Sequence, residues 1–171
     1  MACFVEDTQV QKLTELIAGA GQIFFAAAGR SLLVVKCCAM RLMQIGLTVH
    51  VVGEVTTPAI RPGDLLIVTS GSGETATVVQ MAKKAKKLGA SLGVITIVPD
   101  SSLGCLADVT VTIRAKSTKV DGSRGSTRQL GANLFEQSVL IFLDCLVSQV
   151  AERLGIPDPD RLLMENHANL E

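Results

Sequence analysis

Leu65-Leu66-Ile67-Val68-Thr69-Ser70-Gly71-Ser72-Gly73-Glu74-Thr75 runs four apolar residues directly into glycines and hydroxyls. Two of the four are β-branched, which fits a short buried strand, and the period that follows puts Val78, Met81, Ala82, Ala85 and Leu88 on one helix face. The segment therefore reads as a strand, a tight turn and a helix N-terminus. Free N–H groups at a helix start attract an oxyanion, and glycines let the backbone approach it closely. The hydroxyls of Ser70, Ser72 and Thr75, the glycines Gly71 and Gly73, and the N–H groups of Gly73 and Glu74 make up a cradle suited to a phosphate. An ordinary strand-to-helix connection capped by Ser72 fits the same residues.

Gly71 to Ala76 also matches the G-x-G-x-x-A form of the dinucleotide fingerprint. That fingerprint expects an acid about 20 positions on, at the end of the next strand. Here the corresponding acid, Asp100, lies further away and beyond Pro99. Pyrophosphate is held mainly by bare backbone, whereas hydroxyls at Thr69, Ser70, Ser72 and Thr75 suit a terminal phosphomonoester with several oxygens to satisfy. A Walker loop is excluded because no Lys follows the glycines.

The 171 residues suit one domain with a sizeable core. The chain is formally neutral and has no Trp or Tyr, which argues against a nucleic-acid platform with its basic excess and stacking aromatics. The uncharged apolar stretch Leu16 to Gly29 is too short and glycine-rich to span a bilayer, and no signal-like segment opens the chain. A soluble cytoplasmic protein is the expectation, with no membrane or nucleic-acid partner. Cys3, Cys37, Cys38, Cys105 and Cys145 form no C-x-x-C pair and read as small core residues rather than disulfides or metal ligands. With only two His, no metal is expected.

Outward from the central segment, helical and strand periods alternate. Thr8–Ala18 is a helix with Val10, Leu13, Leu16 and Ile17 on one face, ended by Gly19 and Gly21. Ile23–Ala28 is a buried strand followed by Gly29, Arg30 and Ser31, with Ser31 as N-cap of a helix over Leu32–Ile45. That helix is apolar around almost its whole circumference, interrupted at Lys36, Arg41 and Gln44, so its second apolar side points to a subunit interface. Further strands are expected at Thr48–Val52, Ser91–Val98 and Val109–Ile113, with a short helical turn at Ser101–Leu106. Lys83, Lys84, Lys86 and Lys87 close the helix after the turn and complement its dipole as a solvated end. Right-handed crossovers between such strands give a three-layer α/β sandwich around a five-stranded parallel sheet of the flavodoxin-like or Rossmann-like kind. Its ligand crevice lies at the carboxyl ends of the strands. The loops Gly29–Ser31 and Ser70–Thr75 both fall on that edge.

Arg114 to Gln129 is a polar loop with Lys116, Lys119, Arg124 and Arg128 against the single acid Asp121. It reads either as a lure for an anionic substrate or as a solvated loop. Leu134–Leu154 is a long apolar helix ended by Gly155, Pro157 and Pro159, with Glu136 in its first turn directly after Phe135. Glu136 is a general-base candidate; an acid paired with the helix dipole fits the same position. His50 sits in an alternating strand and reads as structural.

Gly29-Arg30-Ser31, Val51-Val52-Gly53-Glu54 with Thr56-Thr57-Pro58, the Ser70–Thr75 turn, Leu134-Phe135-Glu136 and the ending His167-Ala168-Asn169-Leu170-Glu171 together resemble the sugar isomerase (SIS) domain family. The resemblance runs from the first strand to the last residue. It implies a single SIS domain over 1–171, whose tail 155–171 contributes to an active site. Within that family it points to isomerases that interconvert D-arabino-hex-3-ulose 6-phosphate and D-fructose 6-phosphate, a step of the ribulose monophosphate route of formaldehyde fixation. Moving a carbonyl from C3 to C2 needs a base for the C2 proton, a second proton carrier and charge stabilisation, but no metal or nucleotide cofactor. The expected catalytic pair is Glu136 as base and His167 as carrier of the hydroxyl proton or opener of the sugar ring; a free tail histidine fits the same letters. Gly29, Arg30, Ser31, Ser70, Gly71, Ser72, Gly73, Glu74 and Thr75 are the expected substrate-binding residues. An aldose–ketose phosphosugar isomerase and a non-catalytic phosphosugar-binding SIS module use the same turn. Related isomerases complete their sites across an interface, which implies a homo-oligomer, dimer or tetramer, with His167 supplied in trans.

Overall fold

The computed structural model describes residues 5–118, 120–122 and 127–170. Five short runs rich in β-branched and apolar residues pair as one parallel sheet: β1 (Ile23–Ala27), β2 (Val49–Val51), β3 (Leu65–Thr69), β4 (Ser91–Thr96) and β5 (Val109–Thr112), in the order β2-β1-β3-β4-β5. Every residue of β3 is buried, as a central parallel strand covered on both faces requires. Its side chains alternate. Leu65 and Ile67 join the core formed with α1 (Asp7–Gly19), α2 (Arg30–Gln44) and α5 (Asn133–Arg153). Leu66 and Val68 face α3 (Ala76–Lys87) and α4 (Ser102–Leu106) on the other side. The three-layer parallel α/β sandwich expected from the strand and helix periods is the observed fold.

Element boundaries depart from expectation where caps act. Ser31 is not the N-cap of α2: the helix begins at Arg30, and Gly29 takes the cap position with φ +59° and no side-chain cap, its carbonyl accepting the Leu32 N–H. A residue with a Cβ is strained at that φ, so the turn out of β1 uses glycine. Ser72 does not cap α3 either, because the turn runs on to Thr75 before the helix begins. Pro159 does not merely end α5; it opens a further helix, α6 (Pro159–Glu165), whose N-cap Asp158 accepts the Arg161 N–H at 3.0 Å. Asp followed by Pro is a helix-start signal in its own right.

Met81 and Leu88 lie at the margin of α3 and are exposed, while Val78, Val79, Ala82 and Ala85 are buried. Lys83, Lys84 and Lys87 at its end are exposed, and Lys86 pairs with Asp108 at 2.7 Å. Of the cysteines expected in the core, Cys38 is buried, its thiol pushed well up by burial and by the Asp144 charge. Cys37 and Cys105 are exposed, and Cys3 lies outside the described residues. By length and composition α5 could cross a membrane, but it packs in the core against α1 and α2. On the second apolar side of α2, Leu33, Met40 and Met43 are exposed among the described residues.

Candidate active site

Register places the site. Ala27 pairs with Thr69 and Thr69 with Ile95, so β1 and β3 end side by side and the turns that follow them face each other. The first turn of α5 comes across the same edge. Between them is a cavity of about 180 Å³ lined by Gly29, Arg30, Ser31, Ser70, Gly71, Ser72, Thr75 and Glu136, with Ala28, Thr69, Ser117, Ala132 and Phe135.

The turn after β3 is held by its own hydroxyls. Ser70 Oγ lies 3.0 Å from Thr75 Oγ1 and accepts the Gly73 N–H at 3.2 Å, and the Ser70 carbonyl accepts the same N–H at 3.1 Å. Gly71 is pinned to β4, its carbonyl accepting the Ile97 N–H and the Thr96 hydroxyl. Ser72 Oγ accepts the Glu74 N–H at 3.3 Å.

Gly73 and Glu74 do not line the cavity. Gly73 has φ +68° and lies against Ser101. The Glu74 carboxylate accepts the Ser102 N–H at 2.7 Å and the Ser102 hydroxyl at 2.6 Å, bonds that hold its carboxyl below the usual carboxylate range. These two residues shape the turn from behind, and their N–H groups are already engaged within it.

Glu136 is 8% exposed although it lies one turn into α5. Arg30 reaches it from the start of α2, with Nε 3.0 Å from Oε2, and Arg30 Nη1 donates to Asn133 Oδ1 at 2.9 Å. The two helix starts are thus joined across the cavity by one guanidinium. Phe135 lies beside Gly71 and is part of the cavity lining. A buried carboxylate oriented by a cation and faced by serine and threonine hydroxyls can take and return a proton on a bound polar molecule.

His167 is not brought to Glu136 within the chain. It is exposed, with Nδ1 3.2 Å from the Ala168 carbonyl, and α6 docks at the opposite end of α2, where Asn166 Nδ2 donates to the Gln44 carbonyl at 2.9 Å. Fourteen residues of helix separate Arg30 from Gln44, about 21 Å at 1.5 Å per residue. His50 Nε2 lies 2.9 Å from Gln22 Oε1 and its ring packs on Phe24, away from the cavity-lining residues.

Ser117 was hidden inside the polar loop. The alternation of β5 continues beyond its last paired residue, with Ile113, Ala115 and Ser117 buried and Arg114 and Lys116 exposed. That period of two was the available signal. Lys119 and Arg124 lie outside the described residues, and Arg128 is exposed.

A parallel α/β sandwich here carries, at the carboxyl ends of its strands where this architecture holds ligands, a hydroxyl-rich turn beside a guanidinium-held carboxylate. The chain belongs to the SIS domain family, whose pattern matches residues 16–142. It is 44% identical over 170 residues to the 3-hexulose-6-phosphate isomerase of Mycobacterium gastri, covering 99% of this chain and 84% of that protein. It is 41% identical over 172 residues to the 3-hexulose-6-phosphate isomerase of Bacillus subtilis, covering 99% and 91%. Among solved structures, a hypothetical protein of Methanococcus jannaschii, for which a 3-hexulose-6-phosphate isomerase function was inferred, superposes with a TM-score of 0.84 at 33% identity, covering 96% of this chain and 86% of that one.

Proposed function

We propose that this chain interconverts D-arabino-hex-3-ulose 6-phosphate and D-fructose 6-phosphate, with Glu136 as the base. The carrying observation is the buried Glu136 carboxylate, held by Arg30 at 3.0 Å in a cavity whose lining is rich in hydroxyls and glycines. The names of the M. gastri and B. subtilis relatives support the same substrate. Ser31, Ser70, Ser72 and Thr75, with Gly29 and Gly71 allowing close approach, receive the phosphate.

Glu136 takes the proton from C2 of the 3-ketose, and the C–H electrons form the C2–C3 double bond of an enediolate. Returning the proton to C3 and moving the O2 hydroxyl proton to O3 leaves the carbonyl at C2, with no net oxidation or reduction. Arg30 keeps positive charge beside the enediolate and fixes the carboxylate in one orientation. His167 carries the hydroxyl proton. Because α6 docks at the Gln44 end of α2, about 21 Å along the helix from Arg30, His167 is supplied by a second copy of the chain in a cytoplasmic homo-oligomer, dimer or tetramer. The exposed Leu33, Met40 and Met43 support such an assembly.

The test is a coupled assay of both hexulose phosphates, with glucose 6-phosphate as the aldose control. Glu136→Gln should keep substrate affinity and lose about 10²- to 10⁴-fold in turnover. Mixing Glu136→Gln with His167→Ala should recover about a quarter of wild-type activity for random pairing in a two-fold dimer. Near-normal turnover of Glu136→Gln refutes the base. No recovery in proven mixed oligomers refutes His167 in trans.

A further inference from the structure

The hydroxyl of Thr69 is the feature of the site that the chemistry above does not use. Thr69 is 1% exposed, and its Oγ1 is the buried side-chain oxygen without a hydrogen-bond partner among the described residues. A buried hydroxyl left unpaired is costly, so it is retained where something supplies the partner. Thr69 is among the residues that line the cavity. By the alternation along β3 it stands on the face of Leu65 and Ile67, beneath α2 and α5, and its sheet neighbours Ala27 and Ile95 belong to that side. Ser70, one residue on, turns instead to Thr75 and Gly73 and closes the turn.

We propose that Thr69 is a substrate-binding residue whose Oγ1 hydrogen-bonds an oxygen on the carbon chain of the bound sugar phosphate, between the phosphate turn and Glu136. This rests on the phosphosugar reading of the cavity. Oγ1 is buried, and rotation about χ1 between staggered wells is the motion that would turn it toward the ligand. The phosphate is not its partner, because the turn residues that receive phosphate follow it in the chain and Thr69 lies on the Glu136 side.

Thr69→Val keeps shape and branching and removes only the hydroxyl, and Thr69→Ser keeps the hydroxyl. Without ligand, Thr69→Val should melt at or above the wild-type temperature, since no bond within the protein is lost. Its affinity for fructose 6-phosphate should fall roughly three- to tenfold, with affinity for inorganic phosphate unchanged and Thr69→Ser close to wild type. Unchanged fructose 6-phosphate affinity overturns the proposal. So does an equal loss for inorganic phosphate, which would put the hydroxyl on the phosphate, or a lower melting temperature in Thr69→Val alone, which would mean a structural partner. If the wild-type protein itself fails to bind fructose 6-phosphate, the phosphosugar reading falls and this assignment with it.

Discussion

Gly73→Ala tests whether the turn after β3 has the one shape that its surroundings allow. The residue has φ +68°, and a Cβ there would overlap the Oγ and Cβ of Ser101. A left-handed non-glycine residue costs about 1–2 kcal/mol, and forcing atoms into an occupied position adds about 1–3 kcal/mol. A total near 3 kcal/mol lowers the melting temperature of a domain this size by roughly 6–12 °C. Gly131→Ala is the control, because Gly131 has φ +61° with open space around its Cβ position. The difference between the two variants reports the overlap alone. Ser101→Gly removes the atoms in the way, at the loss of the side chain that accepts the Gly104 N–H. The double variant should therefore be more stable than the sum of the two single changes. Thermal unfolding and fructose 6-phosphate binding are the assays, and both should worsen in Gly73→Ala. Equal melting temperatures for Gly73→Ala and Gly131→Ala would refute the argument that Ser101 fixes the turn.

Arg30→Met should cost about 1–2 kcal/mol, between the values for exposed and buried ion pairs, since the Arg30 side chain is 52% exposed and that of Glu136 10%. In a Glu136→Gln background the same change should cost under about 0.5 kcal/mol; equal costs in urea unfolding would show that the pair is not coupled. Glu74 carries a pH signature: its folded carboxyl is lowered by the Ser102 bonds, so its contribution is present above the ordinary carboxylate range and is lost as pH falls through the lowered value. The gap in urea midpoint between wild type and Glu74→Gln should therefore narrow as pH falls below the ordinary carboxylate range, and a gap that widens on acidification would reverse the sign. Ser72→Asp should raise KM strongly by setting like charge against the substrate phosphate, and unchanged KM would remove Ser72 from that site.

The fold was legible because each face of the sheet is covered and the strands read as unbroken apolar runs, as in Leu65 to Val68. The cavity was legible where glycines and hydroxyls crowd a strand end, which gathered Gly29 to Ser31 with Ser70 to Ser72 and Thr75. What stayed hidden depends on tertiary contact. Nothing local in Gly73 and Glu74 says that Ser101 and Ser102 occupy their far side. The pairing of Arg30 with Glu136 joins residues more than a hundred positions apart, and only the adjacent starts of α2 and α5 create it.

The same distinction bears on the tail. Asp158 and Pro159 start α6, and Asn166 ties its end to Gln44, so the segment before His167 is anchored rather than free to fold back toward the cavity. An anchored histidine at one end of α2 and a carboxylate at the other cannot share a substrate within one chain, because helix length is set by the 1.5 Å rise and does not yield to loop motion. The role proposed for His167 requires that α6 leave Gln44 or that a second chain bring His167 to the Arg30 end. Undocking would expose Leu162 and Leu163, which are half-buried as they stand, whereas assembly would cover Leu33, Met40 and Met43, which are exposed. Burial of apolar surface favours the second route.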